Sequence, residues 1–210
     1  MDTIRPSPRR RGRPPRQRDH QLDTRDLLLR AGLIVLTEKG FSSSGLDEIL
    51  KQACVPKGSF YHYFDSKEAF GKALIDCYAS YFVRKLERHL QNPALSHLDR
   101  IAAFIADAQE GMQRYEFKRG CLIGNLGQEM GSLPESFREQ LGGVFRDWQQ
   151  RFTRVLEAAQ AAGEICPQVD CSQMAAFFWI GWEGAVLRAK LERSNEPLQL
   201  FAACFFRSIR

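Results

Sequence analysis

No apolar run in the sequence approaches 18 residues, so a membrane-crossing helix is not expected. The longest apolar stretch, Met174 to Trp182, is interrupted by Glu183. No apolar segment follows the N-terminus, which is rich in Arg and Pro instead; a secretory signal is therefore not expected, and a cytoplasmic location is. Six cysteines, at 54, 77, 121, 166, 171 and 204, form no CxxC pair and no metal-ligand spacing. They read as thiols in a reducing compartment, with no metal and no cofactor implied. GxSxG, HExxH and P-loop patterns are missing, and the four histidines, at 20, 62, 89 and 97, offer no positioned base for a cysteine nucleophile. An enzyme is not expected. No segment alternates with period two long enough to make a strand, which leaves an all-α chain. Its 210 residues, 44% hydrophobic and 26% charged, suit one or two domains with a real core.

Charge and proline are unevenly placed. Residues 1–22 hold seven arginines, Arg11 and Arg13 among them, against Asp2 and Asp19, and so carry the whole net charge of +5. Four of the nine prolines lie in this arm; the others, at 56, 93, 134, 167 and 197, punctuate the body into proline-free segments. Helical periodicity fills those segments. In 24–39, Leu28, Ala31, Gly32 and Val35 follow i, i+3, i+4, i+7, with Asp23 and Asp26 as a capping box and Gly40 as the stop. A second helix over 45–54 is opened by Ser44 with Asp47. A short one follows over 57–64, and Asp65 with Glu68 caps a long one over 66–91. Further helices are expected at 96–115, 120–131, 135–162, 171–193 and 197–209. The domain reading is a basic arm at 1–22, a three-helix unit at 23–66 and a larger helical unit at 67–210.

The last two helices are unusually apolar. Phe177, Phe178, Ile180, Trp182, Ala185, Leu187 and Leu191, then Leu198, Phe201, Cys204, Phe205 and Ile209, cover more than one face. They are either buried within one subunit or packed against the same pair in a second copy; the second arrangement covers the aromatics better.

Residues 44–67 carry the most information. A helix, a turn of about three residues and a second short helix make a helix-turn-helix, whose second member lies in the DNA major groove. On that second helix Lys57, Ser59, Tyr61, His62 and Tyr63 crowd two turns with donors, while Phe60 and Phe64 are left to pack inward. Lys57 and Lys67 bracket the element with charge suited to phosphates, and Gly58 allows close approach of a sugar-phosphate strand. The bland alternative is an aromatic surface helix that docks another protein.

The run VPKGSFYHYFDSKEAF, preceded by EKGF and GLDEILKQA, closely resembles the N-terminal DNA-binding domain of TetR-family transcriptional repressors. The resemblance implies a homodimer with one reading head per copy on double-stranded operator DNA. It also implies a C-terminal ligand-binding and dimerisation domain, and release when a small molecule binds. Pro56 departs from the Ser-like cap usual there, although proline is tolerated in a first turn. Arg11-Gly12-Arg13-Pro14 matches the core of an AT-hook, which lays arginines into a narrow minor groove; the alternative is a cationic tail without groove specificity. RGCLIGNLGQEMGSLP and FFWIGWEGAVLRAKLE look like the branch of the family named after AcuR and NemR. Its members respond to small unsaturated or reactive molecules, acrylate for the first, electrophiles or oxidants for the second. Whether such a regulator represses or activates depends on where its operator lies.

Cys121 is the residue through which that chemistry could run. A helix start and the preceding Lys118 and Arg119 favour its thiolate, which adds to activated alkenes. Reversible binding without the thiol and simple packing of a small cysteine remain open, and the other five cysteines read as packing residues. Gly120, Gly124, Gly127 and Gly131, spaced 4, 3 and 4, fall on one helical face, expected either to admit a close neighbour or to border an effector cavity. Asn125, Gln128 and Glu129 would supply polar groups there, with Trp148, Trp182 and Phe104 as apolar walls.

Overall fold

Leu28, Leu29, Val35 and Leu36 turn one face of the first helix inward, and that face anchors the N-terminal unit of a computed structural model that describes residues 23–210. The helix, α1 (Thr24–Lys39), ends where Gly40 takes φ 84° and donates its N–H to Leu36 O. Then come α2 (Leu46–Ala53), α3 (Lys57–Tyr63) and the long α4 (Lys67–Leu90). The remainder is α5 (His97–Arg114), α6 (Leu122–Gln128), α7 (Ser136–Ala161), α8 (Cys171–Glu192) and α9 (Glu196–Ser208). All regular structure among the described residues is helical, as the periodicity predicts.

Helix starts are where the sequence reading needs correction. Asp23 makes no capping bond and instead accepts from the Tyr63 hydroxyl at 3.3 Å. The Ser44 hydroxyl bonds back to Gly40 O, and Gly45 stands at the N-cap of α2. Ser66, one residue beyond the expected Asp65, caps α4 by accepting from Ala69 N at 3.0 Å; a serine hydroxyl at the N-cap reaches that third amide directly. The expected helix over 120–131 contracts to the seven residues of α6, between Cys121 as N-cap and Glu129 as C-cap. Gly120 and Gly131 thus fall outside it, and the four glycines do not share a face.

The larger core lies between α7, α8 and α9. Phe152 stacks on Phe178 with centroids 4.2 Å apart, Phe178 meets Phe205, and Trp148 lies 5.0 Å from Trp179. All five rings are essentially buried, each contributing roughly 1.5–3 kcal/mol or more by removal from water. The opposite side of α8 stays bare. Phe177, Ile180, Leu187 and Leu191 are exposed at helical spacing, with Leu200 beside them on α9, so burial within one copy covers only one face of this helix.

Candidate nucleic-acid interface and effector cavity

The turn before α3 is built by Cys54, left-handed at φ 55°, which ends α2, and by Pro56, whose φ of −64° suits the cap of the next helix. Phe60 and Phe64 fill the unit's core against Phe70, at 5.3 and 4.8 Å between centroids. Anchoring those rings directs the other face outward. Lys57, Gly58, Tyr61 and His62 are exposed, Ser59 is half-buried, and Tyr61 keeps 53% of its surface in solvent. Lys57 pairs with Asp47 at 3.5 Å, an exposed contact of little strength that leaves the ammonium free to exchange partners. A Cβ on Gly58 would meet no atom of the chain within 4 Å, so the backbone there is open to approach.

Lys67 is disposed differently from the sequence expectation. Its ammonium donates to Phe41 O at 2.8 Å and Ser44 O at 2.6 Å and lies over the Phe41 ring, and burial lowers its pKa. It braces the α1–α2 turn rather than facing outward. Arg11 and Arg13 lie outside the described residues.

A cavity of about 530 Å³ opens between α1, α4, α5 and α8. Leu33, Phe82, Phe104, Trp182 and Val186 contribute to its apolar wall; Tyr78, Cys121, Glu183 and Asp107 are among its polar groups; Arg84, Arg88 and Arg114 are among its cations. Of the residues the sequence placed at such a site, Cys121, Trp182 and Phe104 line it. Trp148 does not: it is fully buried behind Phe82, 4.2 Å away. Asn125 turns to α1, donating to Thr37 O at 3.0 Å, and Gln128 is exposed to solvent.

The expected thiolate at Cys121 is overturned. Burial pushes its pKa well above the ordinary thiol value, and the nearby Glu183 pushes it further. The Gly124 N–H, donating to Sγ at 3.5 Å, favours the anion but is outweighed. Nor do the adjacent cations help: Lys118 pairs with Glu116 at 2.7 Å, and Arg119 with Glu38 at 2.9 Å while stacking on Tyr115. Glu183 is itself raised to about 7 by burial, offset in part by the Cys121 thiol beside it, and its Oε1 is buried without a hydrogen-bond partner among the described residues. Tyr78, close to the thiol, is raised by burial. Near neutral pH the cluster is therefore a protonated thiol, a neutral phenol and a half-titrated acid.

Glu183 and Tyr78 were not singled out from sequence, although a lone acid inside the run FFWIGWEGAV was a visible anomaly. Gly124 explains the spacing of α6 from α8: a Cβ there would fall 1.9 Å from Glu183 Oε2. One on Gly120 would fall 2.9 Å from Lys190 Cδ. Gly127 and Gly131 face open space, so close packing accounts for only two of the four.

The N-terminal unit and the cavity-bearing unit each have matches. Residues 28–74 fit the model of bacterial regulatory proteins of the tetR family, and residues 97–205 that of the tetracyclin repressor-like C-terminal domain. The transcriptional regulator AcuR of Cereibacter sphaeroides is 52% identical over 202 residues, 96% of this chain and 92% of that protein. The transcriptional repressor NemR of Escherichia coli is 35% identical over 177 residues, 84% of this chain and 89% of that one. The crystal structure of a regulatory protein TetR from Rhodobacter sphaeroides superposes with a TM-score of 0.88 at 52% identity, covering 89% of this chain and 99% of its own. An outward-facing α3 on an aromatic anchor, a cavity between α1, α4, α5 and α8, and matches over both units make this chain a member of the TetR family of transcriptional regulators.

Proposed function

We propose that this TetR-type repressor binds a palindromic operator as a homodimer and leaves it when a small unsaturated or electrophilic molecule, acrylate-like, enters the cavity. The observation that carries the DNA-binding half is the outer face of α3, where Lys57, Ser59, Tyr61 and His62 are presented while Phe60 and Phe64 hold the helix from behind. Tyr61, His62 and Ser59 are assigned to bases or phosphates, Lys57 to phosphates, and Gly58 to close backbone approach. Arg11 and Arg13 of the 1–22 arm are assigned to the neighbouring minor groove, residues 23–66 to the reading head, and 67–210 to effector binding and dimerisation. The exposed stripe of α8 and α9 is the surface on which two copies would meet, setting two α3 helices about 34 Å apart for successive major grooves. The setting is the cytoplasm, where the DNA is.

Release follows from where the cavity lies. Its walls include α1 and α4, which carry the reading head, so a ligand that prefers a different spacing of α4 from α8 shifts the two heads. The resemblance to the AcuR and NemR branch supports the effector class.

A second reading makes Cys121 a reactive sensor, favoured by its place in the lining beside Glu183. Because the thiol rests protonated, addition to an activated alkene needs a base. Glu183 as carboxylate would take the S–H proton while sulfur bonds to the β-carbon, and would return that proton to the α-carbon. Footprinting of the purified protein on DNA upstream of its own gene, with and without acrylate and acrolein, tests both readings. A protected palindrome released by either compound is expected, and a smear without boundaries would refute the operator reading. Full release of a Cys121→Ser variant by both compounds would remove the thiol from the mechanism.

A further inference from the structure

The α1–α2 turn is gripped by opposite charges from two sides. The carbonyls of Phe41 and Ser44 accept from the Lys67 ammonium. On the other side the N–H of Phe41 donates to Glu129 Oε1 at 2.9 Å, and that of Ser42 to Glu129 Oε2 at 2.8 Å. Glu129 belongs to the C-terminal cap of α6, 88 residues from Phe41. Gly40 makes room for it: besides its φ of 84°, a Cβ there would lie 2.2 Å from Glu129 Oε1. A carboxylate that accepts two adjacent backbone N–H bonds, both charge-assisted, fixes the turn in orientation as well as position. The turn leads directly into α2, and α2 into α3.

At its other end α6 meets the cavity. Cys121, its N-cap, lines the wall, and Gly124 is pressed by the Glu183 carboxylate of α8. Seven residues of helix span roughly 10 Å, short enough to move as one piece. Other contacts join the same two regions. Asn125 holds Thr37 O on the last turn of α1, Ser132 meets Ser42 through hydroxyls, and Arg119 pairs with Glu38. Among the described residues, only Glu129 holds the N–H groups of the turn itself with a full charge.

We propose that Glu129 is a positioning residue through which displacement of α6 at the cavity is passed to the α1–α2 turn and so to the orientation of α3. The inference rests on the cavity being the effector site, but its test needs no effector. Amide exchange of the full-length chain is followed at Phe41 and Ser42 in four proteins: the parent, Gly124→Ala, Glu129→Ala and the double variant. Glu129→Ala alone is expected to speed exchange at both amides about tenfold or more, the size of losing a hydrogen bond to a charged group. Protection in the cores of α7 and α8 stays at the parent level. Gly124→Ala, whose new Cβ must push Glu183 or α6, changes exchange at the turn several-fold when Glu129 is present and less than about twofold when it is Ala, the mark of a coupled pair. Glu129→Gln, which keeps one accepting oxygen, falls between. If Gly124→Ala lowers protection throughout, Glu183→Gln perturbs the same contact more gently and replaces it. A response at the turn that is the same with and without Glu129, or no response to losing Glu129, overturns the proposal. Coupling without any effect of acrylate on the parent would reject acrylate as the effector and leave the role of Glu129 standing.

Discussion

Helices α3 and α8 each leave one face in water, and they leave opposite chemistry there. The outer face of α3 shows an ammonium, a phenol, an imidazole and a bare glycine backbone; that of α8 shows Phe177, Ile180, Leu187 and Leu191 in a row. Both are anchored by aromatic rings on their inner sides, Phe60 in one and Phe178 with Trp179 in the other. What differs is the surface each is suited to meet. Donors and cations lose little in water and gain at an acceptor-rich, charged surface such as DNA. A contiguous apolar stripe is costly in water and is relieved against a surface as apolar as itself, most simply its own copy.

The largest effect should come from spoiling the apolar face. Ile180 and Leu191 are 74% and 71% exposed, so Ile180→Asp with Leu191→Asp leaves the packed side of α8 untouched. The double variant is expected to sediment as a monomer at about 10 µM and to bind operator at least about 100-fold more weakly, since two linked heads bind far more tightly than two separate ones. A variant that still sediments as a dimer would place the interface elsewhere.

On α3 the smaller but sharper contrast is between its two sides. Tyr61→Ala with Lys57→Ala should weaken operator binding roughly 10- to 100-fold, at about 1–3 kcal/mol for a base contact, while the melting temperature stays put. Phe60→Ala should do the reverse at first order: a fully buried ring is lost, at about 3–5 kcal/mol of stability. Calorimetry and binding titrations on the same preparations separate the two. Equal loss of stability in both variants would mean that the outer face also supports the fold.

Helices were legible in the sequence because their signals are local. Proline and Gly40 mark the breaks, and the i, i+3, i+4 pattern of Leu28, Ala31 and Gly32 needs no distant partner. The outward set on α3 was legible for the same reason, since Phe60 and Phe64 at four-residue spacing settle which way the helix faces. What failed needed partners far along the chain. Lys67 looked free until Phe41 and Ser44 arrived from another turn, and the cations beside Cys121 looked available until Glu116 and Glu38 claimed them. Burial of the thiol by α4 and α8 then reversed the sign of its shift. Trp148 and Phe82 are equally aromatic in sequence, and only tertiary packing decides which of them meets the cavity.

The last contrast lies within α8, whose wet face is apolar while its dry face carries an acid. Glu183 has a folded-state pKa of about 7 against an ordinary 4.5. Between those values the folded chain holds a proton that the unfolded chain has released, so stability falls as pH rises through the window and levels off above it. The difference amounts to something on the order of 3 kcal/mol. Glu183→Gln removes the titration while nearly keeping the shape. Its melting temperature should match the parent near pH 4 and exceed it by several degrees at pH 8, because every other titrating group is common to both chains and cancels in the difference. Parallel curves across that range would mean that water or a cation reaches the carboxyl, and that Glu183 stands ionised beside the thiol and holds it protonated by its charge.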